Sequence, residues 1–115
     1  MTRIFKIFPR AEWEQAAASG HYEGSADDRR DGFIHFSTAD QLAGTLAKHF
    51  AGQDDLLLIA VEAEALGAAL RWEAARGGDL FPHLYAPLPA GAALWVRPLP
   101  RDPAGQHVIP PEARA

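Results

Sequence analysis

The residues most able to do chemistry fall in three short stretches: GFIHFST at 32–38, RWE at 71–73 and FPHLY at 81–85. The first reads as a strand running into a helix. Strand side chains alternate between faces, so His35 shares a face with Phe33 and Ser37 while Ile34 and Phe36 point the other way. The Ile34/Phe36 face suits a core beneath the helix that carries Leu42 and Leu46. His35 then stands beside a hydroxyl and an aromatic ring, the make-up of a pocket wall. The plain alternative is a half-buried histidine hydrogen-bonded to backbone. In the second stretch Arg71 and Glu73 lie on one strand face with Trp72 opposite. A guanidinium beside Glu73 keeps the carboxylate ionised, ready to accept from a ligand hydroxyl or to face developing positive charge. As a mere surface pair it is worth about 0–1 kcal/mol. In the third, Pro82 fixes the backbone before His83, and Tyr85 adds a phenol. Such rings can stack on a base or nicotinamide, or they can form a turn with an exposed histidine and a core tyrosine.

Composition narrows the classes. The 115 residues are 48% hydrophobic and 23% charged, as for one globular domain able to bury about two-thirds of its unfolded surface. A net charge of -4, from 11 basic and 15 acidic residues, gives no broad nucleic-acid footprint. The absence of cysteine removes disulfides, thiolate metal sites and cysteine nucleophiles. HxH, HExxH and HxxxH patterns are missing, so no metal is expected. There is also no P-loop, GxGxxG fingerprint or GxSxG elbow. The longest apolar run, LLLIAV at 56–61, is too short to span a bilayer. No membrane partner is expected, and a cytoplasmic location is the default.

Several elements must hold the three stretches in place. Alternation over residues 3–8 predicts a first strand. Pro9 opens a short helix that Gly20 stops. Residues 21–31 are so polar that they read as an exposed loop, long enough to move. After the strand at 33–36, Ser37 or Thr38 caps a second helix carrying Leu42, Leu46 and Phe50. Residues 56–61 are a central strand, 70–73 another, 80–85 irregular or extended around Pro82, and 93–99 a last strand. Residues 1–99 thus form one α+β domain with two main helices, and residues 100–115 read as a loosely held tail.

IFKIFPRAEW, GFIHFST, DDLLLIAVE, LRWE and LFPHLYAPLP occur in the order found in a family of small bacterial domains catalogued as domain of unknown function nine-five-two. The chain resembles that family over residues 3–98. The family is similar in fold to the ADP-ribosyltransferases and RNA 2′-phosphotransferases. The resemblance therefore implies a compact split β-sheet core with a nicotinamide- or nucleotide-sized cleft. It implies NAD or ADP-ribose as ligand, transfer or hydrolysis at a ribose, and a protein or RNA acceptor that stays open. His35 with Ser37 and Thr38, Glu73, and His83 with Tyr85 match the family's motifs. Lys6 stands where many relatives carry histidine, and there it would anchor ribose or phosphate as a point charge. In that picture Phe33 or Tyr85 stacks on nicotinamide, His35 holds ribose or phosphate oxygens, and Glu73 faces oxocarbenium-like charge. Glu73, His35 and His83 are then the catalytic candidates, with Lys6, Phe33, Ser37, Thr38, Arg71 and Tyr85 binding the cofactor. The rivals are a non-catalytic module for a nucleotide or small anion, and an interaction domain whose histidines are structural.

Overall fold

The computed structural model describes residues 2–113, apart from the side chain of Arg76. Its centre is an antiparallel ladder. Strand β1 (Arg3–Pro9) pairs along its whole length with β4 (Leu56–Glu62), from Arg3 opposite Glu62 to Pro9 opposite Leu56. Strand β8 (Trp95–Pro98) lies on the far side of β4. Alternation divides the apolar residues of β1 and β4 between two faces. Ile4, Phe8, Leu57, Ile59 and Val61 build one core cluster, and Phe5, Ile7, Leu56, Leu58 and Ala60 the other. With both faces covered, β4 reads as an unbroken apolar run.

Helix α1 (Arg10–Ser19) follows β1 at once and ends at Gly20, whose positive φ of 94° lets its N–H reach Ala16 O. Helix α3 (Leu42–His49) packs Leu42 and Leu46 against the Phe5/Ile7 face. Ile34 and Phe36, expected beneath that helix, instead join the opposite cluster with Leu84 and Leu88. A second antiparallel sheet is formed by β3 (Ile34–His35), β6 (Leu80–Leu84) and β5 (Leu70–Ala74), with β6 in the middle. A small ladder joins β2 (His21–Tyr22) to β7 (Leu88–Pro89). The fold is a compact α+β arrangement of antiparallel sheets with few helices. No helix among the described residues is long and apolar enough to cross a membrane.

Three sequence expectations change. Residues 21–31 are not an open loop: they contain β2 and a third α-helix, α2 (Ala26–Asp31), closed by reciprocal capping between Ser25 and Asp28. The stretch around Pro82 is regular and central. Pro82 supplies no N–H to the ladder, but its carbonyl accepts the N–H of Phe36 at 3.0 Å. Residues 100–113 are tied down rather than loose. Leu99 and Ala113 are buried in the Phe5/Ile7 cluster, Arg101 clasps Asp54 through two nitrogens at 2.7 and 2.9 Å, and His107 Nε2 sits 2.7 Å from Gln53 O. The packed unit therefore runs past 99, to at least Ala113.

Candidate functional site

The two larger sheets meet at one point, where Phe5 and Ser37 exchange backbone hydrogen bonds of 2.8 Å each way. Among the described residues β1 and β3 form no further ladder. Between them and the end of α3 opens a cavity of about 390 Å³, bounded by Phe5, Lys6, Asp28, Phe33, His35 and His83 among others. That is near the lower end for small-molecule sites.

His35 and His83 are register partners across β3 and β6. Cross-strand partners project from the same face, and their ring centroids lie 5.5 Å apart at 70°. Phe33 covers both, stacked on His83 at 4.0 Å and tilted 4.6 Å from His35. Each imidazole has a carboxylate on Nδ1. His83 Nδ1 is 2.8 Å from Glu73 Oε1, which also accepts the Tyr85 hydroxyl at 2.7 Å. His35 Nδ1 is 2.6 Å from Asp28 Oδ1. A carboxylate partner at Nδ1 selects the tautomer whose Nε2 can take a proton, the usual arrangement for a general base. Nε2 of His83 has no hydrogen-bond partner among the described residues. Nε2 of His35 lies 2.9 Å from Asp31 Oδ2.

Asp28 went unrecognised in the sequence, yet it organises this site. It is 2% exposed. One oxygen accepts the ring and backbone N–H of His35, and the other accepts the Ser25 N–H at 3.0 Å and pairs with Lys6 Nζ at 3.2 Å. Burial alone raises its carboxyl. The His35 hydrogen bond, the Lys6 charge and the Ser25 and His35 N–H groups together outweigh that and hold it well below the usual carboxylate range. Lys6 is itself buried, and its ammonium also donates to His35 O at 3.0 Å. It is therefore engaged in holding Asp28 and β3 rather than standing free as an anchor for ribose or phosphate. Burial pushes its ammonium down, and Asp28 offsets part of that.

The remaining candidates take different places. Ser37 lines the cavity but shares its hydroxyl with Thr45 at 2.9 Å. Thr38 lies off the wall and opens the turn before α3, where Gln41 Oε1 accepts its N–H. Arg71, Glu73 and Tyr85 are also off the cavity wall. They back His83, with the Arg71 guanidinium 4.7 Å over the Tyr85 ring. The hydrogen bonds from His83 and then Tyr85 hold Glu73 below its ordinary value, and the Glu73 bond raises the Tyr85 phenol. Among the described residues no group of three or more His, Cys, Asp or Glu could hold a metal.

Gly24 is the close-approach point of the site. Its φ is 117°, and a Cβ there would sit 2.9 Å from Asp28 Cβ. Gly24→Ala is expected to lower stability by about 1–3 kcal/mol from backbone strain alone. It should also shift the His35 ring resonances in an NMR spectrum; an unmoved His35 would mean that Asp28 tolerates the methyl.

Residues 7–96 match the family described as "Protein of unknown function (DUF952)". The X-ray crystal structure of protein CC0527 from Caulobacter crescentus is 51% identical, covers 93% of this chain and 94% of that one, and superposes with a TM-score of 0.90. The solution NMR structure of the same protein is 53% identical over 92% and 91% of the two chains, with a TM-score of 0.83. No protein of curated function matches the chain.

Proposed function

The chain belongs to the DUF952 family, and from that premise we propose that its cleft binds NAD or a related ADP-ribose nucleotide and promotes hydrolysis or transfer at the ribose. The observation that carries this reading is the pair of facing imidazoles, each with a carboxylate on Nδ1, on the wall of one cavity. His83 acts as general base. Its Nε2 takes a proton from water, or from an acceptor hydroxyl on protein or RNA, as that oxygen bonds to ribose C1′. The bond from C1′ to the nicotinamide nitrogen breaks, its electron pair neutralises the pyridinium, and nicotinamide leaves without needing a proton. Phe33 offers a face to the nicotinamide ring. The likeness to ADP-ribosyltransferases, implied by the motifs, supports the reading by analogy.

Glu73 takes a different role from the one the motif implied. It is hydrogen-bonded to His83 and Tyr85, behind the imidazole and off the cavity wall. It acts as a positioning residue for His83 rather than as the group facing the oxocarbenium.

Binding and turnover test this separately. NAD and ADP-ribose at millimolar concentration are expected to raise the melting temperature, and ligand at one hundred times its Kd stabilises by about 2.7 kcal/mol. Nicotinamide release from NAD should be measurable by chromatography. No thermal shift with any of these ligands defeats the proposal. A shift without release leaves a non-catalytic nucleotide-binding module.

A further inference from the structure

His35 is held on both sides, but by unequal partners. On Nδ1 stands Asp28, 2% exposed and tied to Lys6, Ser25 and the His35 backbone. On Nε2 stands Asp31, whose side chain is 34% exposed. Among the described residues its other oxygen meets only Arg30 Nε at 3.2 Å, itself at the surface. Exposed pairs of this kind hold weakly. An ionised carboxylate only accepts, so Asp31 sets an acceptor against Nε2 and covers that edge of the ring.

From this we infer that Asp31 fills the seat of a phosphate group and yields it when a phosphate-bearing ligand binds. The inference rests on the proposed site and names how it recognises its ligand. When the Asp31 side chain turns outward, one negative charge leaves the site and the Nε2 edge of His35 is uncovered beside the Lys6–Asp28 pair. With a proton on Nε2, the uncovered ring is the donor at the cavity wall that a phosphate oxygen requires. Arg30 borders the same cavity and keeps its charge. The exchange asks little of the fold. Asp31 is the last residue of α2, Gly32 follows in the left-handed conformation, and buried Asp28 keeps the helix in place while one side chain rotates. Asp31 thus acts as an internal competitor, keeping the seat closed until a better anion arrives.

The test is a phosphate and pyrophosphate titration of the full chain, followed through the imidazole resonances by proton–nitrogen NMR. Asp31→Ala is expected to bind phosphate about tenfold or more tightly than the wild type, with the response at His35 Nε2. The gain should vanish in the Asp31→Ala, His35→Asn double variant. Equal affinity in Asp31→Ala and wild type, or a response at His21 or His107 with His35 unmoved, overturns the inference. Because the titration involves no turnover, it stands or falls independently of nicotinamide release.

Discussion

Asp28→Ala is expected to cost the domain about 3–5 kcal/mol, because it leaves a buried ammonium without its counter-charge. Whole-domain stability is of the order of 5–15 kcal/mol, so this variant should sit near unfolding at room temperature. Among the described residues Lys6 keeps only the His35 carbonyl as a hydrogen-bond acceptor, and His35 loses the acceptor on Nδ1 and on its backbone N–H. Lys6→Met is expected to be milder, since Asp28 retains His35 and Ser25. The double variant Lys6→Met, Asp28→Asn should recover much of the loss, and the cycle read by urea denaturation gives the coupling directly. If Asp28→Ala costs less than about 1 kcal/mol, the pair is not what holds α2 to β1. The pH dependence has a definite sign. The folded-state value of Asp28 is depressed, so its contribution is complete above the unfolded value of about 3.9. It is lost as pH falls from there toward the folded value. Wild type should weaken on acidification below about pH 4 more steeply than Asp28→Asn.

That same residue marks the limit of what the sequence disclosed. Strands β1 and β4 were legible because alternation and an unbroken apolar run each translate directly into burial, the run into a strand covered on both faces. His35 and Glu73 could be placed on strand faces in prospect, because alternation assigns those faces, whereas His83 lay in a stretch read as irregular or extended. The acid beneath them was hidden, since HYEGSADDRRD is polar enough to pass for a surface loop. Two signals pointed the other way. Ser25 and Asp28 have the spacing of reciprocal helix capping. Lys6 falls on the β1 face of Ile4 and Phe8, where a buried ammonium demands a carboxylate from somewhere. Pro82 misled for a related reason, because proline is read against a central strand while its carbonyl remains a good acceptor. The closing segment was misjudged on composition. Its proline and charge content obscured Ile109 and Ala113, which pack under the sheet, and Arg101, which reaches Asp54.

Removing the base should produce the largest effect on turnover. His83→Asn is expected to slow nicotinamide release by about 10²–10⁴-fold, the usual contribution of a positioned general base, with KM for NAD changed little. Asparagine cannot take a proton, yet it keeps an amide near Glu73, so the fold should persist and an unchanged melting temperature can verify that. Glu73→Gln separates two roles for the carboxylate. As a positioning residue it fixes the His83 ring through Nδ1 and shares its oxygen with Tyr85. The amide oxygen of glutamine can still accept both bonds, so only the charge behind the imidazole is lost. The expected drop in kcat is then about tenfold, smaller than for His83→Asn. The limb of the pH–rate profile that reports the base should also move to lower pH, since the imidazolium is less well stabilised. A carboxylate acting directly on the oxocarbenium predicts the reverse order: Glu73→Gln at least as damaging as His83→Asn, with that limb unmoved. The ranking of those two variants, with the displacement of the limb, decides which group meets the ribose.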